Sequence, residues 1–527
     1  MSDATTLATL LLLPAAGAVL VPLLGGQALR KALTLGLMLL VLTLSASLFM
    51  AFDGSAAATA RMGFDVAWMP SLGVSLRFGV DGLNVYLMLL TALLFPVVLA
   101  CAWRSTEAQS TLYLSLLLAL QAALLGTFLT QNLVVLFVLW EAVLIPMVLL
   151  ILVFGGDQRR KAALSFFLYT MAGSVLFLAA VILLGVEHAQ QTGRWSFDLA
   201  ALARLPLGHG TQTFIFFALA LACAVKSPIF PFHSWLPLAY GEASPSGTAL
   251  MAGVMSKMGA FGFIKLVLPL APDVAQAMAP AVMVLAAVSI VYGAVLALRQ
   301  AHFKQLVAYA SLSHMGYIVL GVFAFQATAA HGAMFQILSH GLAVAGLFLM
   351  LGLLQQRCGP AYMQVNALAT RAPRFAVVLM LFVLASLALP LSSGFTAEFM
   401  ILLGAFTQGM ALAHSHAGIS TLVAAMLAAT GVVLGATYML RFARAAVFGD
   451  AGAPTAKNPT MAVPDLGVRE LLALVPLLAL ILLVGVWPAP LMSKVEPAVQ
   501  QMVRATPAAG PAAARTAEFS KGSVHGN

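Results

Sequence analysis

Apolar runs of roughly 18 to 25 residues recur along this chain from Leu7 to Leu491, punctuated by short polar or Gly- and Pro-containing stretches. Each run is long enough to cross the roughly 30 Å hydrocarbon core of a bilayer as a helix. The runs start near residues 6, 31, 81, 111, 132, 162, 213, 247, 275, 303, 330, 373, 418 and 469. This pattern predicts an all-α polytopic membrane protein of about fourteen transmembrane helices. A membrane β-barrel is excluded, because its strands would be about ten residues of alternating polarity and nothing here alternates for long. Only 53 to 80 and 186 to 212 read as long loops. The Ala-, Pro- and Gly-rich stretch 448–468 reads as a linker, and the tail 504–527 offers no apolar face to bury, which predicts disorder.

Composition agrees with the pattern. Hydrophobic residues make up 62% of the chain and charged residues 8%, with a mean hydropathy of +1.01, far from the balance of a soluble globular domain. The net charge of +9 is topological. Loops after odd-numbered helices hold most of the loop Lys and Arg, among them Arg30, Lys31, Arg159, Arg160, Lys161, Arg299, Lys304, Arg371, Arg374, Arg441 and Arg444, so those loops are expected in the cytoplasm. Both termini are then expected on the opposite face. The N-terminus lacks a basic leader and a cleavage site, so the first helix is expected to be retained. The basic residues form no patch with aromatics, so the partner is the lipid bilayer and not nucleic acid. Cys101, Cys223 and Cys358 are too far apart in sequence for a CxxC metal or cluster motif, and no GxGxxG or Walker loop appears. The chain is therefore expected to carry no metal and no redox or nucleotide cofactor of its own.

Four ionisable residues, Glu141, Lys226, Lys257 and Glu398, sit well inside apolar stretches. An ionisable group near the bilayer centre costs at least about 2.5 to 3.5 kcal/mol, so such residues usually mark ion pathways or proton relays. Two helices look broken beside these charges. In Lys226-Ser227-Pro228-Ile229-Phe230-Pro231, Pro228 and Pro231 remove amide donors and free carbonyls around Lys226. In Leu389-Pro390-Leu391-Ser392-Ser393-Gly394, Pro390 and Gly394 break the helix ahead of Glu398, with serine hydroxyls available to the freed backbone. Unpaired backbone at that depth is tolerated only in protein or beside a wet cavity, and interrupted helices in two halves of a chain point to inverted repeats. A packing role competes at each residue: Glu141 could be held by a neighbouring helix, Lys257 solvated through Ser256, and Glu398 interfacial. His314 and His340 lie inside spans as packing residues or proton carriers. A haem-ligand role is disfavoured, because few paired histidines occur on candidate facing helices. His233 follows the first break and is expected to orient Lys226, whereas His188, His209, His302, His414 and His416 fall at loops.

The segments LFVLWEAVLIPMVLL (136–150), KSPIFPFHSWLP (226–237), SGTALMAGVMSKMGAFGFIKLVLP (246–269), FKQLVAYASLSHMGYIVLG (303–321), QILSHGLAVAGLFL (336–349) and LASLALPLSSGFTAEFMILLGAF (384–406) resemble the antiporter-like membrane subunits of respiratory complex I. Within them the resemblance is to the subunit M or chain 4 family, over about residues 78 to 490. It implies fourteen helices with two inverted five-helix repeats and broken helices 7 and 12. The implied division is 1–110 for helices 1 to 3, 111–272 and 273–447 for the two repeats, 448–468 for the linker, 469–503 for helix 14 and 504–527 for the tail. It maps the family's proton relay onto Glu141, Lys226, Lys257, His314, His340 and Glu398, with no catalytic residue in this chain. After Trp235-Leu236-Pro237 the family usually reads Asp-Ala-His, whereas this chain reads Leu238-Ala239-Tyr240, and FHSWLPLA also resembles membrane subunits of group 4 hydrogenases. The implied function is proton translocation as a non-redox subunit of an NADH:quinone oxidoreductase. NADH, FMN, iron–sulfur clusters and quinone would then be handled by partner subunits, with N-type and L-type antiporter-like subunits as neighbours in the membrane. The alternatives are a subunit of a group 4 hydrogenase-type complex or of a multi-subunit sodium/proton antiporter.

Overall fold

The computed structural model describes residues 2–359, 366–449 and 463–504. Among them, thirteen helices are long and apolar enough to cross a membrane. They are α1 (Asp3–Leu20), α2 (Gln27–Ala51), α3 (Val85–Ala102), α4 (Thr111–Leu129), α5 (Leu133–Phe154), α6 (Arg159–Thr192), α7a (His209–Lys226), α8 (Pro245–Leu270), α9 (Pro272–Arg299), α10 (Phe303–Phe323), α11 (Ala327–Cys358), α13 (His416–Val447) and α14 (Val468–Val486). The remaining predicted span, near residue 373, is split into α12a (Pro373–Ser386) and α12b (Ser393–Ala411). A short α7b (Leu236–Glu242) completes the seventh helix after its break. Both expected breaks are therefore present, at the prolines that cause them.

Three features differ from the sequence pattern. The loop after α2 carries an antiparallel hairpin, β1 (Gly63–Met69) with β2 (Val74–Gly79), anchored by a bridge from Phe78 to Thr130, and a second bridge joins Asn132 to Asp198. Helix α6 runs to Thr192, shortening the loop expected from 186. The C-terminal helix expected over 469–503 is two helices, because Trp487 and Pro488 interrupt it. The second, α15 (Ala489–Arg504), turns Val495 and Val499 inward and is held by the Lys494 ammonium on the Phe52 carbonyl and the Tyr86 hydroxyl on the Leu491 carbonyl. Most of the expected linker, and all of the tail beyond Arg504, lie outside the described residues.

Burial sorts the helices into a centre and a shell. The apolar stretches of α8, α10 and α11 are almost wholly enclosed, whereas α1, α2, α13 and α14 leave most of theirs outward. Helix α11 is the hub, packing against α3, α8, α10 and α12b. Helices in lipid gain no hydrophobic drive toward each other, so small residues that admit close backbone approach decide which ones meet. A Cβ at Gly253 of α8 would stand 3.3 Å from the Gly341 carbonyl, and one at Gly341 of α11 would stand 2.8 Å from the Gly253 carbonyl. On the other side of α11, a Cβ at Gly332 would lie 2.7 Å from the Ala397 carbonyl of α12b.

Gly341→Val is expected to push α8 and α11 apart, costing about 1–3 kcal/mol as overpacking does. Thermal unfolding of the detergent-purified protein should show a lower Tm. Gly36→Ala, with open space around its Cβ, should leave Tm unchanged.

Candidate functional site

Lys226 is the last residue of α7a, and the backbone freed by Pro228 and Pro231 is satisfied inside the protein. The Trp235 indole donates to the Val225 carbonyl at 3.1 Å, the Ile229 amide to the Ala224 carbonyl at 3.0 Å, and the Phe230 amide to Ser289 Oγ at 2.9 Å. These bonds leave the Lys226 ammonium itself without a partner: it is buried, makes no hydrogen bond, and lies 5.6 Å from the centre of the Trp140 ring. Trp140 precedes Glu141, whose Oε1 is also buried and unbonded. Pro146 cannot donate to the Ala142 carbonyl, and α5 is interrupted at Val143. Among the described residues no ion pair within 4 Å joins Glu141 to Lys226. His233 does not reach Lys226 by a hydrogen bond. Its ring instead packs against Phe230 and Tyr292, at 5.9 and 5.2 Å between centroids, because the turn after Pro231 points it toward α9.

The centre of the bundle holds a continuous polar line. Two π-helical turns, Met251–Met255 and Phe263–Val267, flank Lys257 on α8. Such turns release backbone carbonyls and recur at functional sites. The Lys257 ammonium, fully buried, donates to the Ala252 carbonyl at 2.5 Å, to Ser256 Oγ at 3.3 Å and to His340 Nδ1 on α11 at 2.9 Å. The His340 ring lies 5.2 Å from that of His314 on α10. His314 Nδ1 is 2.9 Å from Glu398 Oε1 on α12b, and Gln336 Nε2 donates to the same oxygen at 2.9 Å. A cavity of about 10 Å³, room for about one water, is lined by His314, Gln336, Ser339, His340, Gly394 and Glu398. The unbonded Nε2 atoms of both histidines are buried beside this line. Glu398 is buried within the protein near the start of α12b.

The α12 break sets that geometry. Ser392 Oγ donates to the Leu389 carbonyl at 2.7 Å, and Ser393 Oγ bonds Ser339 of α11 at 2.8 Å. Ala388 and Leu391 take left-handed φ values of 51° and 78°, a cost of order 1–3 kcal/mol each that the surrounding packing sustains. Between Lys226 and Lys257 no direct bond exists. Helices α7a and α8 touch there through Gly259, whose Cβ would collide with the Cys223 carbonyl, and through Ser227 Oγ donating to the Ser256 carbonyl at 3.3 Å.

Several ionisable groups read as loop charges, or passed over, turn out to be structural partners. Lys265 of α8 pairs with Asp81 at 2.5 Å and bonds Gln131 Oε1 at 2.9 Å. Burial would raise the Asp81 carboxyl, but Lys265 and the Asn84 amide hold it below its usual range. Lys31 is buried on the Trp103 carbonyl, and His331 of α11 lies 2.8 Å from Glu496 of α15. Lys304 donates to the Gly241 and Ala243 carbonyls at the joint between α7b and α8. Near it, burial pushes the Glu107 carboxyl up to about 7, against the pull of the Ser244 hydroxyl and Lys304. Their signal in the sequence is weak, since each stands near a helix end where solvation is the simplest reading.

Residues 130–424 match the sequence family described as NADH:quinone oxidoreductase/Mrp antiporter, TM. The chain is 37% identical over 448 residues to NADH-quinone oxidoreductase subunit M of Rhodobacter capsulatus, with 84% of each chain covered. It is 31% identical over 471 residues to the subunit of that name from Escherichia coli (strain K12), covering 87% of this chain and 90% of that one. A chain of respiratory complex I from Thermus thermophilus with bound NADH superposes with a TM-score of 0.83 at 31% identity, covering 95% of this chain and all of that one. A chain of the Mrp complex from Dietzia sp. DQ12-45-1b, at 24% identity and a TM-score of 0.80, covers 96% of this chain and 52% of that one and shares the fold.

The folded chain keeps the Glu107 proton up to about pH 7, whereas an ordinary glutamate loses it near 4.5. The folded state then binds the extra proton, so stability from this group falls as pH rises through that window and is flat above it. Glu107→Gln is expected to remove this slope and to raise Tm above pH 7. Thermal melts across that range check it.

Proposed function

The chain belongs to the NADH:quinone oxidoreductase/Mrp antiporter transmembrane family, and we propose that it is the M-type subunit of a respiratory complex I, translocating protons through its own side chains. The observation that carries this reading is the line from Lys257 through His340 and His314 to Glu398, with two contacts of 2.9 Å and, between them, two tilted imidazole rings 5.2 Å apart. Each member can hold or pass a proton, and the line crosses four helices at the buried centre.

In this reading Lys226 is the gate. Its ammonium and one oxygen of the Glu141 carboxylate are both buried without hydrogen-bond partners, so a small movement of one toward the other changes the proton affinity of Lys226. A swing of about three pKa units is worth roughly 4 kcal/mol, and one proton moved against about 100 mV needs roughly 2.3 kcal/mol. The switch is therefore large enough to drive one proton per cycle. The proton passes from the Lys226 end to Lys257 beside the Gly259 crossing, then along the histidines to Glu398 as the exit group. The two halves, residues 111–272 and 273–447, act as inverted repeats, each with one broken helix. Redox chemistry and quinone reduction occur in partner subunits, with N-type and L-type subunits adjacent in a bacterial inner membrane and both termini periplasmic.

Lys226→Ala is expected to lower NADH-driven acidification of inverted native membranes at least about tenfold, with insertion and complex assembly equal to wild type by immunoblot and native gel. His340→Ala, which removes the link between Lys257 and His314, should do the same. Unaffected acidification in a correctly assembled variant would sink the relay. Sodium/proton exchange without any redox substrate would move the chain to an antiporter complex.

A further inference from the structure

At the bundle end where α2 and α14 begin and α3 and α11 finish, positive charge gathers beyond its local acids. Arg104 follows the last turn of α3, Arg469 stands in the first turn of α14, and Lys31 in the first turns of α2. Helix α3 packs against both α2 and α14. Lys31 donates to the Trp103 carbonyl at 2.9 Å, which fixes it next to Arg104. The charge of Arg469 is felt by Lys31, and that of Arg104 by Arg469. The nearby carboxylate, Glu470, is already taken by Arg357 at 2.6 Å. Arg469 Nε is buried and has no hydrogen-bond partner, so a guanidinium donor at this end is left over. A buried unpaired donor on a charged group is costly to leave unmade.

The surface beside Arg469 turns apolar. Val468, Leu472 and Val475 follow one another at helical spacing on α14 and are 71%, 71% and 49% exposed, so they form a strip along one face. A cationic group at a helix end with an exposed apolar strip leading away from it matches one amphipathic ligand. Basic pockets between transmembrane helices bind anionic lipid headgroups in this way. In the bilayer this strip faces acyl chains, so a lipid lying along it brings its headgroup to the level of Arg469.

We propose that Lys31, Arg104 and Arg469 form a binding site for the phosphate of an anionic phospholipid, with an acyl chain lying along Val468, Leu472 and Val475. The bound lipid would tie α2, α3 and α14 together at the end where Arg357 fastens α11 to α14.

The test uses the whole complex containing the full chain, purified in mild detergent and reconstituted into nanodiscs of phosphatidylcholine with or without phosphatidylglycerol. After detergent washing, mass spectrometry reads the phospholipid retained. The wild type should retain phosphatidylglycerol over phosphatidylcholine, and the Arg104→Gln, Arg469→Gln double variant should bind it at least about tenfold more weakly, the factor that about 1.4 kcal/mol of lost charge-assisted hydrogen bonding gives. Arg469→Lys, which keeps the charge, should retain the preference for the anionic lipid even if the double variant assembles poorly. A photo-crosslinking side chain at Leu472 should label phospholipid. Equal retention by wild type and double variant, equal retention of both lipids, displacement by inorganic phosphate alone, or labelling of a neighbouring subunit at Leu472 would each overturn the site.

Discussion

An ammonium group with no access to water has to find acceptors on the chain, and Lys257 finds them in the Ala252 carbonyl, Ser256 and His340. That arrangement depends on how close two helices come. The bond to His340 exists because Gly253 and Gly341 let the backbones of α8 and α11 meet, and the Ala252 carbonyl that Lys257 also uses lies within the π-helical turn at 251–255. Each further link follows from the placement of α11. His340 and Gln336 on its one side meet His314 and Glu398, and Gly332 brings α12b within reach.

The two broken helices treat their charges differently. At α7 the freed carbonyl of Val225 and the Phe230 amide are paired by Trp235 and Ser289, so the break is closed and Lys226 is left as the unbonded group. At α12 the serines bond the break to itself and to α11, and one oxygen of the acid that follows meets both His314 and Gln336. A charge without partners changes its proton affinity readily when a neighbour moves. A charge inside a hydrogen-bonded line is suited to passing a proton on. The same motif, a proline break beside an ionisable residue, thus leaves the side chain unbonded in one place and hydrogen-bonded in the other.

The shell around this centre is tied at its ends by polar side-chain contacts. Arg357 with Glu470, Lys265 with Asp81, and His331 with Glu496 each join an enclosed helix to an element outside the centre. Among the described residues Arg104 and Arg469 enter no ion pair within 4 Å, which is why the lipid phosphate is assigned to them.

Much of this was legible in the sequence. Span length and hydropathy predicted all fourteen helices, and Pro228, Pro231 and Pro390 marked both breaks, because chain length against bilayer thickness and the missing proline amide are local physics. Glu141, Lys226, Lys257 and Glu398 stood out for the same reason, as charges inside apolar runs. The order of contacts was not legible. That Lys257 meets His340 and not Glu141, that His233 turns to Tyr292 rather than Lys226, and that Glu398 is met by His314 and Gln336 depend on which helix faces cross, and periodicity does not encode this in a helix apolar all round. Lys31, Lys265 and His331 were unremarkable near helix ends until packing supplied Trp103, Asp81 and Glu496 as partners. Sequence alone determined the spans, the breaks and the charges placed at membrane depth; the tertiary structure decided their pairing, because a buried charge is defined by the acceptors that distant segments bring to it.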